Sequence, residues 1–386
     1  MEHCNRRAFI GALGSAYATL GLAADPTPTG DLLVAQVASQ TNLGSLINAK
    51  AMAVGLNAYF SAVNAAGGVA GRKIALLIKD DDLNAAKMVA ATRDLIAQPQ
   101  VLALVGFLNT GGLAELAKEN IPGKAGIALI APFQGNRNIV SADNFFPFRS
   151  GYADEVSALV KAAKESGKKR VAIYYYDTTF GPSMSQQAQT DAKNVGLNVV
   201  ANVGVNVAPD KFDENMRAAV AEIDKATPDA IIMAAAGRFA SEFVKLILET
   251  RSSTAEIYSM STLPVDDIVK TVGGPKARGT IIAQALPFPF TPSLPLVAEY
   301  QRVMKAHAPD AALSYSSLEG FIGAKITTEA LRRASPNPTR EKILQALNNF
   351  GEWDLGGAFV NYSRNGRMGW NRVELTIVRA DGKLIR

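Results

Sequence analysis

Cysteine and histidine are nearly absent from this chain of 386 residues, which has one cysteine, Cys4, and two histidines, His3 and His307. Two of these three fall in an N-terminal segment expected to be removed, leaving His307 alone. A disulfide framework, a Cys/His zinc centre and a cysteine nucleophile are thereby excluded. A Ser-His-Asp triad would have to use His307, in a polar helical stretch close to Pro309. Phosphate-binding loops are missing as well. Gly123-Lys124 lacks both the upstream glycine and the following Ser or Thr of a Walker loop. No Gly-x-Gly-x-x-Gly follows a strand, so a dinucleotide enzyme has little support. Nor is there a run of like charge long enough for a nucleic-acid arm. Instead 40 Lys and Arg and 35 Asp and Glu are scattered along the chain, for a net charge of +5.

Residues 1–24, MEHCNRRAFIGALGSAYATLGLAA, read as an export signal: a short charged start, then weakly apolar residues ending in small ones. The segment is too short and too rich in Gly, Ala, Ser and Thr to span a bilayer, which takes about twenty strongly apolar residues. Arg6-Arg7-Ala8-Phe9-Ile10 resembles the twin-arginine signal of bacteria, with Asn5 and Gly11 departing from the usual Ser/Thr and Lys. Sec export is the alternative. Gly21-Leu22-Ala23 is a small-x-small site, so cleavage is expected near Ala23, ahead of the extended linker Asp25-Pro26-Thr27-Pro28. Cys4 precedes the apolar stretch and is no lipidation site. The mature chain is expected to be a soluble protein of the periplasm.

Hydrophobic residues make up 48% and charged residues 19%, a balance that suits two ordinary domains with real cores. Short β-branched runs alternate with helix-length amphipathic stretches, the pattern of parallel α/β architecture. Expected strands are 32–37, 74–79, 102–105, 128–131, 171–176, 198–203, 230–233, 256–258, 280–283 and 374–378. The clearest helices are expected at 49–65, 85–97, 153–164, 183–193, 212–225, 240–250, 295–307 and 317–333. Ten strands are too many for one small doubly wound sheet, which points to two lobes. Asn144-Phe145-Phe146-Pro147-Phe148-Arg149 reads as a crossing between them, and Pro287 to Pro292 as a proline-rich break.

Asn64 to Ile74, with Gly67, Gly68 and Gly71, reads as a helix end turning into a strand. Asp80-Asp81-Asp82 between strand and helix is explained by helix capping, so no metal is expected. The strand-to-helix junctions carry more information, because open α/β sheets bind ligands there. Gly106-Phe107-Leu108-Asn109-Thr110-Gly111-Gly112 precedes a helix and offers N–H groups, a hydroxyl and a positive dipole end, which suit a carboxylate. The plainer reading of Thr110 is an N-cap. Further junctions are Ala131-Pro132-Phe133-Gln134-Gly135, Tyr174 to Gly181, and Ala236-Gly237-Arg238-Phe239. Phe133, Phe180 and Phe239 recur at these junctions, which favours a shared cleft over three separate core positions.

In this order the junctions resemble the type I periplasmic binding proteins, specifically the branched-chain amino-acid-binding (Leu/Ile/Val-type) family of ABC transporters. The resemblance covers about residues 31–380. It rests on Asn64 to Ile74, Asp80-Asp81-Asp82, Ala103-Leu104-Val105-Gly106, Ala131-Pro132-Phe133, Asp177 to Gly181 and Tyr315-Ser316-Ser317-Leu318-Glu319-Gly320. It implies two doubly wound parallel-sheet lobes joined by a three-segment hinge that closes on a small ligand. The lobes would be 31–147 with 283–360, and 148–282 with 371–386. By the same resemblance Thr110, beside Asn109 and Gly111, meets a ligand carboxylate. Phe133, Gln134 and Gly135 supply the next loop, and Phe239 an aromatic wall. The family's acid for an α-amino group falls close to Ser261, which has no carboxylate. Asp177 and Glu319 stand as substitutes that the sequence does not place.

The expected function is an extracytoplasmic solute-binding protein for an ABC importer, without catalytic role or cofactor. Its solute is expected to be small, carboxylated and apolar or aromatic, with an amino acid as the alternative. Phe133, Tyr152, Phe180 and Phe239 would form its apolar wall, and Arg238 a second anion partner. Permease membrane subunits are the expected partner, with no nucleic acid, and the chain is expected to be a monomer. A ligand sensor for a membrane receptor shares the fold and is the nearest rival; an α/β enzyme is more distant.

Overall fold

The computed structural model describes residues 32–41, 46–177, 180–206, 211–363 and 369–386. The expected export signal lies outside the described residues, as do Thr178 and Thr179. In chain order the first unit contains β1 (Leu32–Val37), α1 (Leu46–Ala65), β2 (Ile74–Lys79), α2 (Ala85–Ile96), β3 (Val101–Val105) and α3 (Thr110–Lys118). There follow α4 (Ile121–Lys124), β4 (Leu129–Ile130), α5 (Arg137–Val140) and β5 (Phe145–Phe146). The chain then crosses to α6 (Tyr152–Glu165), β6 (Arg170–Tyr176), α7 (Gly181–Asn194), β7 (Asn198–Val205), α8 (Phe212–Ala226) and β8 (Ala230–Ala234). The second unit continues with α9 (Gly237–Ile247), β9 (Glu256–Ser259), α10 (Val265–Val272), α11 (Gly274–Ala277) and β10 (Ile281–Gln284). A return crossing leads to α12 (Pro295–His307), α13 (Tyr315–Arg333), α14 (Arg340–Asn348), β11 (Trp353–Asp354) and β12 (Phe359–Val360). A third crossing ends in β13 (Glu374–Val378) and β14 (Leu384–Ile385).

Two large sheets result. The first has the order β2-β1-β3-β4-β5 and is parallel throughout. The second, β14-β13-β10-β9-β8-β6-β7, is parallel over five strands and antiparallel where β13 and β14 close its edge. Period-two alternation divides each strand between two cores. Leu32 and Val34 face the α1–α13 side of the first sheet, whereas Leu33, Ala35 and Val37 face the α2–α3 side. Ala172 and Tyr174 face one side of the second sheet, and Val171 and Ile173 the other. Burial on both faces explains why these strands read as continuous apolar runs.

Three details depart from the sequence expectation. Phe145 and Phe146 form an edge strand of the first sheet, so the crossing begins only after them. Strand β10 belongs to the second sheet through Gln284, so the second crossing lies beyond the expected 282/283 boundary. The N-cap of α2 is Asn84, which accepts the Lys87 N–H, and not one of the three aspartates.

The glycine turn after α1 is built as expected. Asn64 grips both backbone groups of Ile74 at 2.8 Å, and a Cβ on Gly68 would lie 2.1 Å from the Arg72 carbonyl oxygen. The crossings are laced together at Ser150. Its N–H donates to Ala285 O at 3.2 Å and its hydroxyl to Arg372 O at 2.6 Å, while Trp370 N–H donates to Phe148 O at 2.6 Å.

Candidate functional site

Between the two sheets lies a cleft of about 390 Å3, within the usual size for a small-molecule site. Its walls are strand C-terminal ends and the loops after them: β3 and β4 from the first lobe, β6 and β8 from the second. Eight of the eleven residues expected from the sequence line it: Asn109, Thr110, Gly111, Phe133, Tyr152, Phe180, Arg238 and Phe239.

At the start of α3 the cap is Asn109 and not Thr110. Asn109 takes an unusual φ of 99°, and its Oδ1 accepts the Gly112 N–H at 3.2 Å. Its Nδ2 donates to Asp81 Oδ2 at 2.9 Å, so this side chain is spent on structure. Burial pushes the Asp81 carboxyl up, against the hydrogen bonds it accepts from Asn109 and Leu83. Thr110 is the first helical residue, which leaves its N–H and that of Gly111 without intrahelical acceptors. These donors and the positive end of a nine-residue helix face the cleft.

The second-lobe wall is a row of rings. Tyr152 meets Phe180 edge-on at 4.8 Å, Phe180 lies 5.7 Å from Tyr176, and Tyr176 stacks on Phe239 at 5.8 Å. Phe239 packs against Phe212, whose ring carries the Arg238 guanidinium at 4.2 Å. Phe133 forms the facing wall from the first lobe. Among the described residues Arg238 is the only lining residue with a formal charge, and it is exposed at the rim.

Gln134, Gly135 and Ser261 are not in this lining, although the half-buried Ser261 lines an adjoining pocket that shares Asn48 with it. Gln134 is buried behind Thr110 and donates to its Oγ1 at 3.2 Å. Gly135 accepts the Tyr152 N–H at 2.9 Å, and a Cβ there would sit 2.6 Å from the Tyr152 ring. Ser261 belongs to a buried polar group that the sequence does not announce. Its N–H and hydroxyl donate to Glu155 Oε2 and Oε1 at 2.8 and 3.0 Å, and Arg149 Nη2 donates to its Oγ at 2.8 Å. Glu319 lies on the other side of Arg149, with Oε2 3.7 Å from Nη1. Burial pushes the Glu155 and Glu319 carboxyls up to about 7, with Arg149 pulling the other way on both. The acid missing at position 261 is thus present nearby as Glu155, already bound by Ser261.

Asn48, Leu83, Leu108, Tyr176, Ala236, Gly237 and Thr262 complete the lining. Leu108, Tyr176, Ala236 and Gly237 lie in junctions that the sequence marks. Asn48 opens α1 after the first strand, where the same junction rule would have found it. Among the described residues no group of His, Cys, Asp or Glu is arranged to hold a metal ion. No helix there is long and apolar enough to cross a membrane.

Comparison with known proteins agrees with this architecture. An amino acid binding protein of Pseudomonas aeruginosa is 23% identical over 217 residues, 55% of this chain and 56% of that protein. The chain therefore spans little more than half of that relative's length. A Leu/Ile/Val-binding protein homolog of Brucella suis is 24% identical over 295 residues, 72% of this chain and 71% of its own. Among solved structures, a substrate-binding periplasmic protein from Ralstonia solanacearum is 26% identical with a TM-score of 0.84, covering 92% of this chain and 99% of that one. The solute-binding protein of an ABC transporter from R. palustris, solved with benzoate, shares the fold at 18% identity, with a TM-score of 0.78 and coverage of 92% and 95%. The periplasmic binding protein family model matches residues 34–383, nearly the whole described chain, and the chain belongs to that family.

Proposed function

We propose that this chain is an exported solute-binding protein that captures a small carboxylate with an apolar or aromatic body, lacking an α-amino group, for an ABC permease. The observation that carries the reading is the character of the cleft lining. Rings cover much of it, donors of the α3 N-terminus and Thr110 face it, and among its described lining residues Arg238 carries the only formal charge and there is no carboxylate. Charge-assisted hydrogen bonds to a carboxylate contribute roughly 1.5–3 kcal/mol each. Ring contact adds roughly 25 cal/mol per Å2 of ligand surface covered. An ammonium would enter without a counter-charge, at a cost of several kcal/mol. The benzoate bound by the R. palustris protein of this fold supports the same solute class.

Capture without turnover, by a monomer in the periplasm after removal of residues 1–24, completes the proposal. Thermal shift with a matched pair tests it. 3-Phenylpropanoate should raise Tm more than L-phenylalanine, which differs by the amino group. A larger shift with L-phenylalanine would overturn the solute class. Native mass spectrometry of the purified protein would identify a retained solute directly.

A further inference from the structure

The buried polar group at the hinge joins the two lobes through one cation. Arg149 precedes Ser150, where the three crossings are laced together. Its guanidinium reaches the second lobe through Ser261 and Glu155, and the first lobe through Glu319 of α13. It also lies 4.0 Å from the Phe133 ring centroid and 5.6 Å from that of Tyr152, so it touches a cleft wall of each lobe.

The charges in this group do not balance. One guanidinium faces two carboxylates, and the side chains of Arg149 and Glu319 are 2% and 0% exposed. Glu155 is equally buried. Fully ionised, the group would hold a surplus negative charge away from water, and a proton is the least costly remedy. The hydrogen bonds say where it sits. Glu155 accepts two from Ser261, which favour its charged form. Among the described residues neither Glu319 oxygen has a hydrogen-bond partner, nor do Arg149 Nε and Nη1.

We propose that Glu319 and Arg149 form a proton-sensitive latch between the lobes, with Glu319 protonated while the hinge is packed as seen here. Arg149 is then a positioning residue, acting on the solute through Phe133 and Tyr152. Loss of the Glu319 proton leaves two buried carboxylates sharing one guanidinium, and the lobes part to bring water to the surplus charge. Arg149 and Glu155 are the charged groups facing Glu319. Tyr152 and Asp154 of α6, and Tyr176 of β6, are the other titratable groups acting on the group. The carboxyl's raised titration gives the sign: hinge stability is full below the ordinary glutamate range and lost as pH rises through about 7.

The inference rests on the hinge and not on the choice of solute, so its test uses the mature protein without ligand. Small-angle scattering at about pH 5.5 and about pH 8.5 should give a larger radius of gyration for the wild type at the higher pH. Glu319→Gln, which mimics the protonated acid, should stay compact at both. Infrared difference spectra of the wild type between these pH values should show loss of a protonated-carboxyl band, and Glu319→Gln should lack that band. An unchanged wild-type radius, or the wild-type response persisting in Glu319→Gln, would overturn the latch. Should the variant fail to fold, absence of the carboxyl band from the wild type would do so alone.

Discussion

Gln134 Nε2 donates to Thr110 Oγ1 at 3.2 Å, and Gln134 Oε1 accepts the Asn136 N–H at 2.8 Å. The second bond fixes which way the amide points, so towards Thr110 it can only donate. Thr110 must then turn its own proton elsewhere, and the cleft it lines is where an acceptor would be. A buried residue with no place in the lining therefore sets the polarity of one that has.

Thr110→Ala removes the hydroxyl and should weaken binding of 3-phenylpropanoate by roughly tenfold, in line with about 1.5 kcal/mol for a hydrogen bond to a charged group. Gln134→Leu leaves the hydroxyl but frees its orientation, so a smaller loss is expected, and the double variant should lose less than the sum. Isothermal titration reads all three. Additive losses would mean that Gln134 does not act through Thr110.

Arg238 offers a charge at the rim, on an exposed side chain stacked over Phe212. Solvent screens such a charge, so Arg238→Gln should cost only about 1 kcal/mol, roughly fivefold in Kd. The more telling readout is ionic strength. Wild-type affinity for 3-phenylpropanoate should fall with added salt, and the variant's should fall less. Equal salt dependence would remove Arg238 from the site.

Short segments dominated by apolar and β-branched residues, LLVAQV at 32–37, IALLIK at 74–79 and ELTIV at 374–378, are where sequence and structure agree to the residue. The first of them is buried at every position, and burial on both faces leaves such a run no other reading. Phe145-Phe146 is different: two strand residues next to Pro147 carry too little pattern to be separated from the crossing. The cleft is legible because junctions announce themselves by turn chemistry, which is how Thr110, Phe133, Phe180 and Phe239 emerge together. Arg149 and Glu155 do not emerge. A cation after an aromatic run and an acid within a helix look ordinary until folding brings Ser261 and Glu319 against them. Long-range electrostatic pairing has no local signature.

Export has its own test. Arg6-Arg7 ahead of a weakly apolar stretch favours the twin-arginine route, which carries folded cargo. Changing Arg6→Lys and Arg7→Lys together should leave precursor in the cytoplasm, seen by fractionation. Normal export of the double variant would assign the signal to Sec instead.

Helices α1 and α13 approach so closely that two glycines stand where any side chain would strike backbone. A Cβ on Gly55 would lie 1.9 Å from Ser317 O, and one on Gly320 would lie 2.1 Å from Met52 O. Backbone cannot rotate aside, so Gly320→Ala must push the helices apart along the core of the first lobe. Overpacking of this kind typically costs about 1–3 kcal/mol, occasionally more. Gly323, one turn further on the same helix, is the control: its added Cβ would meet the Ala131 side chain at 3.1 Å, a contact that a small shift relieves. Urea denaturation should therefore rank Gly320→Ala well below Gly323→Ala in stability. Equal midpoints for the two would mean that α1 and α13 adjust more freely than their backbone contact implies. Because Glu319 is the neighbour of Gly320 on this helix, separation of the pair should also loosen the hinge and bring its loss of compactness to lower pH.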